Sequence, residues 1–135
     1  MDKRELSQLY YLKKEIENQR QRLAKLEAAA DYQPQQLSFM PHGNGTSDKT
    51  GRYGTEIAEL KQLIALNIQK CEIEKNRIER FIQTVDDSYI RELLRLRFID
   101  CKSWQAVAMA LGGYNTADNV KKRVYRFLDK DAKPM

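Results

Sequence analysis

Few residues in this sequence of 135 amino acids have the types and spacing that catalysis or metal binding requires. The chain contains one histidine, His42, and two cysteines, Cys71 and Cys101. These residues cannot fill a four-ligand zinc site of histidines and cysteines, and the carboxylates are spread along the chain with no nucleophile beside them. The sequence therefore predicts no enzyme, no metal and no cofactor, and we expect His42 to be a solvated loop histidine.

The segment 43–51, GNGTSDKTG, has the glycine-rich composition of a phosphate-binding loop. That motif requires a glycine directly before Lys-Ser/Thr, so that the backbone amides and the lysine reach phosphate oxygens. Here Asp48 precedes Lys49, which puts a carboxylate where the phosphates would lie, and no strand comes before the segment. We therefore reject it as a nucleotide site.

The chemistry that the sequence does favour is the binding of a polyanion near its carboxyl end. The chain has 24 basic and 19 acidic residues and a formal charge of +5. Residues 1–87 hold 14 of each kind, whereas residues 88–135 hold 10 basic and 5 acidic residues, so the whole surplus lies there. Such an asymmetry indicates that one part of a protein meets a polyanion. The alternative is a modest solvated surface charge.

Three short helices are predicted to position these cations. Asp86-Asp87-Ser88 is a helix start, and the apolar residues from Tyr89 to Phe98 predict a helix of roughly 12 residues. Ser103 can cap a second helix. Gly112-Gly113 would end that helix, because glycine adopts the left-handed backbone conformation without strain.

The third of these helices is predicted to be amphipathic. Asn115 and Asp118 have the spacing of a capping box at its start. One face of the helix is apolar and carries Val120, Val124, Phe127 and Leu128. The opposite side carries Asp118, Asn119, Lys122, Tyr125 and Arg126, with Lys121 and Arg123 on the flanks.

A short helix, a glycine turn and a basic helix are typical of a helix-turn-helix, whose second helix enters the major groove of DNA. Lysine and arginine neutralise phosphates, asparagine can read adenine, and aspartate can accept a hydrogen bond from cytosine. This interpretation requires Lys122 and Arg126 to be free of acidic partners. The alternative is an ordinary three-helix domain with a solvated basic face.

The helix-turn-helix hypothesis assigns each candidate residue a contact on the DNA. The side chains expected near base edges are Asn115, Thr116, Asp118, Asn119 and Lys122. Those expected to hold phosphates are Lys102, Ser103, Lys121, Arg123 and Arg126, with Trp104 packed beside the DNA backbone.

Two long heptad patterns precede these helices. Apolar residues recur in alternating steps of three and four from Leu9 to Ala30, and again from Ile57 to Val85, without proline or glycine. Each span would form a helix of roughly 45 Å. Two spans of equal length joined by one connection, residues 32–54, predict an antiparallel hairpin.

The register of this hairpin can be predicted from its polar positions. Pairing Ala30 with Ile57 places Gln19 opposite Asn67, where the two amides can hydrogen-bond and fix the register. At the far end Glu74 would face an apolar residue, so we expect that end to fray or to recruit Tyr10 and Tyr11. Whether the heptad stripes pair within one chain or between two copies stays open.

The predicted fold class is therefore all-α with two domains. Residues 1–86 form a coiled-coil helical hairpin with a Gly- and Pro-rich loop at 32–54, and residues 87–135 form the helix-turn-helix domain.

Residues 87–130 resemble region 4 of bacterial sigma factors. The matching pieces are Leu94-Arg95-Leu96-Arg97-Phe98, Ser103-Trp104-Gln105-Ala106-Val107-Ala108, Leu111-Gly112 and Val120-Lys121-Lys122-Arg123. The turn departs from the usual pattern, with two more residues than expected between Leu111 and Val120. The whole chain is similar to short phage and prophage proteins that combine a coiled hairpin, a Pro-x-Gly-x-Gly-x-Ser-Asp segment (here Pro41 to Asp48) and a sigma-like domain. Some of these are late transcriptional regulators of the ArpU kind.

The resemblance implies a phage or prophage transcriptional regulator that binds double-stranded DNA in the cytoplasm of a bacterial host. The hairpin would mediate homodimerisation or contact host RNA polymerase, and no membrane is expected because the longest apolar stretch is far too short to span one. No sigma region 2 or 3 fits in the remaining chain, so a complete sigma factor is excluded. The alternative is a phage protein-interaction factor that uses the same fold to bind RNA polymerase or a defence nuclease, without specific DNA binding.

Overall fold

A computed structural model of the chain describes residues 1–31 and 45–132, and every regular element in these ranges is helical. This result confirms the all-α class. The elements are α1 (Lys3–Asp31), α2 (Gly45–Gln83), α3 (Ser88–Leu94), a π-helical turn (Arg95–Ile99), α4 (Trp104–Leu111) and α5 (Ala117–Ala132). None of the described helices combines the length and the apolar content needed to cross a membrane.

Helix α2 begins earlier than the sequence predicts. The expected connection ran to residue 54, but the helix already starts at Gly45 and runs through Gly51 and Gly54. Glycine costs about 1 kcal/mol in a helix interior, which is why the pattern indicated a break. A long helix gains one backbone hydrogen bond for each residue it adds, and this gain carries it through isolated glycines. Residues 32–44, with the predicted loop and His42, lie outside the described residues.

The contacts divide the chain into two compact units. The larger unit comprises Met1–Lys13 and Lys70–Met135, and the smaller unit comprises Lys14–Gln69. The domain boundary predicted between residues 86 and 87 falls inside the larger unit.

The smaller unit contains the predicted amide pair between α1 and α2. Asn67 Nδ2 donates to Gln19 Oε1 at 3.0 Å, and the Asn67 residue is only 3% exposed. Lys61 Nζ lies 4.0 Å from Glu27 Oε1, so the two contacts run in opposite chain order, as in antiparallel pairing. A buried amide costs free energy unless it is hydrogen-bonded, so this pair favours the predicted register over a shifted one.

The larger unit has a single apolar core to which the first turns of α1 contribute. Leu6 and Leu9 are fully buried there with Ile78 and Ile82 from the end of α2. The expectation that this end frays is therefore wrong, because the leucines are sealed in the core. Tyr10 and Tyr11 remain 41% and 62% exposed. The rest of the core comes from later elements: Val85, Ile90, Leu93, Leu94, Leu96, Phe98, Ile99, Val107, Ala108, Val120, Val124 and Leu128.

The predicted start of α3 and both ends of α4 are confirmed. Asp87 Oδ1 accepts a hydrogen bond from the Tyr89 backbone amide at 2.9 Å, and Ser103 Oγ accepts from the Ala106 amide at 3.1 Å. These caps satisfy amide groups that lack partners inside the helix. Gly112 and Gly113 follow α4 with φ of +71° and +67°.

The helix predicted from Tyr89 to Phe98 widens in its second half. After Leu94 the backbone forms a π-helical turn, in which the Asp100 amide donates to the Arg95 carbonyl at 3.0 Å. The turn ends at Ile99, and Cys101, two residues later, has a φ of +58° in the left-handed region. Periodicity does not predict such a turn, because it assumes the α-helical repeat throughout and π-helical turns are rare.

Candidate nucleic-acid interface

Helix α5 has a buried apolar face and an exposed polar face. Val120, Val124 and Leu128 are at most 2% exposed and pack into the core of the larger unit. Helix α4 packs against α5 and supports it from one side. The predicted contact residues on the other side of α5 are all exposed, and they are Asp118, Asn119, Lys121, Lys122, Arg123 and Arg126.

Asn115 and Thr116, two of the side chains predicted to read bases, form hydrogen bonds within the turn before α5. Asn115 Nδ2 donates to the Gly112 carbonyl at 2.9 Å, and Asn115 Oδ1 accepts from the Tyr89 hydroxyl at 2.9 Å. Thr116 Oγ1 accepts from the Asn119 amide at 3.1 Å and caps α5. The predicted cap at Asn115 is therefore wrong by one residue, because the Asn115 amide closes the turn instead.

The expectation that Lys122 and Arg126 are free of acidic partners is wrong for Lys122 and holds for Arg126 among the described side chains. Lys122 Nζ lies 2.9 Å from Asp118 Oδ2, one helical turn away. Both side chains are more than 60% exposed, so this pair is an ordinary surface pair of the kind that contributes about 0.3–0.5 kcal/mol in a helix. Arg126 is exposed and forms no ion pair with any side chain that the structure describes.

The cations on the flanks of α5 lie beside aromatic rings. Lys121 Nζ is 5.7 Å from the centre of the Tyr125 ring. On the other flank the Arg123 guanidinium is 6.0 Å from the Tyr89 ring and 3.8 Å from Asp87 Oδ2. The ring contacts orient these two cations without neutralising them, so the donors of Lys121 stay available to an anion. Arg123 has a carboxylate partner as well, in Asp87.

An aromatic cluster joins the start of α4 to α5. The Trp104 ring meets Phe98 edge-on at 6.5 Å and Tyr125 edge-on at 5.8 Å between ring centres. The Arg97 guanidinium lies 4.4 Å from the centre of the Trp104 ring and donates to the Lys102 carbonyl at 2.9 Å. Trp104 is half-buried against the core, so it positions α4 as well as lining the surface.

The start of α4 exposes the two remaining predicted phosphate contacts. Lys102 and Ser103 are both exposed. The Ser103 hydroxyl oxygen caps α4, and its O–H donor can still point outwards to a phosphate oxygen.

Two of the basic residues in the carboxyl-terminal part, Arg91 and Arg95, form contacts that stabilise the fold. Arg91 Nη1 donates to the Val85 carbonyl at 2.6 Å, which holds the turn between α2 and α3. Arg95 lies 3.4 Å from Glu79 and 3.8 Å from Glu92. The charge count alone did not separate these two arginines from the exposed cations of α5.

Three further side chains near this surface, the half-buried Arg97 and the exposed Met109 and Tyr114, were not predicted from the sequence. Arg97 was matched only as part of a helix motif, although its spacing from Trp104 allows the observed stacking. Tyr114 in the turn is 100% exposed, and Met109 on α4 is 75% exposed. The exposure of Tyr114 could have been predicted from its position directly after Gly112-Gly113, because a short turn has no core in which an aromatic ring can be buried.

A groove opens on the Arg123 side of α5. It has a volume of about 280 Å³ and is lined by Asp87, Ile90, Arg123, Arg126, Phe127 and Lys130. Ile90 and Phe127 make its floor apolar, and three cations face one carboxylate at its rim. This chemistry suits an acidic partner that also carries an apolar side chain.

The cysteines of the larger unit do not form a reactive site. Burial raises the pKa of the Cys71 thiol and that of the Cys101 thiol. Both thiols are therefore protonated near neutral pH. Cys101 Sγ lies 3.7 Å from the Ile99 carbonyl oxygen. Within the described ranges no group of three histidine, cysteine or carboxylate side chains could hold a metal ion.

No protein-family model, curated protein or solved structure matches the chain. The chemistry of the interface therefore rests on its own residues, which offer hydrogen-bond donors and positive charge on an exposed helix.

Proposed function

We propose that this chain is a phage or prophage transcriptional regulator that binds double-stranded DNA. In this proposal α4, the turn at residues 112–116 and α5 form a helix-turn-helix, and α5 enters the major groove. The proposal agrees with the resemblance to sigma region 4 and to phage regulators of the ArpU kind.

The observation that carries the proposal is the polar face of α5. The helix is anchored by a fully buried apolar face, and its opposite side presents Lys122 and Arg126 to solvent. A recognition helix requires this combination, because it must be held rigidly by the domain while most of its circumference fits between two phosphate backbones. The exposed Lys122–Asp118 pair is weak enough to yield to a phosphate or a base.

The geometry suggests a narrower set of base-reading residues than the sequence did. Asp118, Asn119 and Lys122 are exposed on the first two turns of α5, where base edges are read. Thr116 and Asn115 would act mainly by holding the turn, since their side chains are engaged there. The proposed phosphate contacts are Lys102, Ser103, Lys121, Arg123 and Arg126, with Trp104 and Arg97 beside them.

The long helices would form the predicted hairpin, which mediates homodimerisation or contacts host RNA polymerase. The buried amide pair of Gln19 and Asn67 supports antiparallel pairing of α1 with α2. Leu63 and Leu66 of α2 remain 44% and 47% exposed and lie one helical turn apart, so both side chains are accessible to a partner.

The test of DNA binding is the salt dependence of affinity for a labelled random-sequence duplex. Replacing both Lys122 and Arg126 with alanine should flatten the plot of log affinity against log salt by about 0.9 for each phosphate that the variant no longer neutralises. The matched control replaces Lys14 and Lys25 of α1 with alanine, which removes the same charge elsewhere. An unchanged slope in the α5 variant, or equal changes in both variants, would contradict the proposal.

A second candidate function, supported by the groove beside α5, is the capture of a host protein without specific DNA binding. Three cations around an apolar floor suit an acidic surface segment of such a partner. Replacing Phe127 with aspartate and Lys130 with glutamate should abolish capture of host RNA polymerase or a nuclease. If these changes abolished a stable host complex and the wild type shifted no duplex, this second function would replace the first.

A further inference from the structure

We propose that the first turn of α1 is part of the DNA-binding surface, where the Lys3 and Lys121 ammonium groups hold phosphate oxygens beside Tyr125. This inference rests on the proposed function and extends the phosphate-binding site to a segment at the opposite end of the sequence.

Two cations share one aromatic ring at this place. Lys3 Nζ lies 4.1 Å from the centre of the Tyr125 ring, and Lys121 Nζ lies 5.7 Å from the same centre. The ring itself is fixed, because it meets Trp104 edge-on and packs partly against the core. Lys3 is therefore held beside the same flank of α5 that the helix-turn-helix would turn towards one DNA strand.

The first turn of α1 is a rigid support and not a loose tail. Leu6 and Leu9 are sealed in the core, and Asp2 Oδ1 caps the helix by accepting from the Glu5 amide at 2.8 Å. Farther along α1, Lys13 Nζ donates to the Ile99 carbonyl at 2.9 Å. Ordering Lys3 on DNA would thus cost little backbone entropy, which favours its use as a contact.

The carboxylates near Lys3 already have other partners. Asp2 is engaged in the helix cap, and Glu5 Oε2 lies 3.5 Å from Arg77. Among the side chains that the structure describes, Lys3 and Lys121 form no ion pair. Both ammonium groups lie within 6 Å of the same ring centre, so an anion bound beside that ring is attracted by two charges. A nucleic-acid strand supplies such anions at about one per 3.4 Å of helix axis.

The experiment compares Lys3→Gln with Arg4→Gln in the full chain. The two variants remove the same charge from adjacent residues, but the Arg4 side chain is exposed and has no described contact with α5. With a labelled random-sequence duplex, Lys3→Gln should weaken binding several-fold and lower the salt slope by about 0.9. Arg4→Gln should leave the slope unchanged. Lys3→Arg should retain the wild-type slope, and the thermal unfolding midpoint of each variant reports its folding.

The outcomes separate this inference from the proposed function. Equal slopes for Lys3→Gln and Arg4→Gln, with a reduced slope in the Lys122 and Arg126 double variant, would overturn the inference alone. An unchanged slope in that double variant would overturn both. A lower slope in Lys3→Gln that Lys3→Arg restores supports a phosphate contact at this position.

Discussion

At the scale of single residues, polar side chains in this protein divide into those that build turns and those that face outwards. Asn115 and Thr116 were expected at base edges, but both are engaged in the turn before α5. The residue types fit either role, and only the direction of the side chain separates them. Lys122 and Arg126 could be predicted to be exposed, because the apolar face of α5 fixes the opposite side.

The pair of Asp118 and Lys122 gives the first prediction. Replacing Asp118 with asparagine removes a carboxylate from the proposed DNA face and releases the Lys122 ammonium. Affinity for a random-sequence duplex should rise several-fold, while the free energy of unfolding should fall by about 0.3–0.5 kcal/mol. Fluorescence anisotropy and urea unfolding measure the two effects. Weaker binding to random sequence would show that Asp118 does not oppose the phosphates.

The buried thiol of Cys101 gives a prediction on pH. Burial raises the pKa of this thiol above its ordinary value of 9.0, so the folded chain holds the proton more tightly than the unfolded chain does. Its stabilising contribution is complete below the unfolded pKa and disappears as pH rises through the folded pKa. Replacing Cys101 with alanine should make the alkaline decline in stability less steep. Denaturant unfolding from pH 7 upwards tests this, and identical slopes would contradict it.

At the scale of elements, the ends of α3 and α4 were predictable because local chemistry fixes them. Asp87, Ser103 and the two glycines act within a few residues of their own positions. The start of α2 and the π-helical turn were not predictable, because they depend on helix propagation and on the core around residues 95–99. Helix periodicity reports which face is buried, but it does not report such local changes of pitch.

The glycine that ends α4 gives a prediction at this scale. Gly112 has φ +71° and ψ −164°, a region that is essentially restricted to glycine. A Cβ atom there would meet no neighbour within 4 Å, so the cost of Gly112→Ala is backbone strain alone. We expect the free energy of unfolding to fall by about 1–3 kcal/mol. The matched control is Gly54→Ala in α2, where an added Cβ atom also meets no neighbour within 4 Å and the helical backbone favours alanine, so stability should not fall. A neutral Gly112→Ala variant would contradict the strained turn.

At the scale of the whole molecule, the amino-terminal turns and the carboxyl-terminal helices share one core. The sequence pattern correctly joined Gln19 to Asn67, because polar residues in an apolar seam stand out. It missed Leu6, since a heptad seam that begins at Leu9 gives no sign of where its first turns pack. Contacts between distant parts of a chain are tertiary information, which the spacing within one helix does not contain.

The shared core predicts that the packing of α4 and α5 depends on the start of α1. Leu6 is fully buried, so Leu6→Ala should lower the free energy of unfolding by about 2–5 kcal/mol. The exposed Tyr11→Ala variant is the control and should change stability by less than about 0.5 kcal/mol. Urea unfolding monitored by Trp104 fluorescence reports the core of the larger unit. If Leu6→Ala left that transition unchanged, the first turns of α1 would not support the core.

The most direct test of DNA binding through α5 follows the backbone amides of the isotope-labelled chain by NMR as a DNA duplex is added. We predict that the largest chemical-shift changes fall on α5 from Asp118 to Arg126 and at the start of α4. They should diminish as salt is raised, because phosphate contacts are screened and counter-ions compete. Changes confined to the groove around Ile90 and Phe127, or no change at any duplex concentration, would contradict DNA binding through α5.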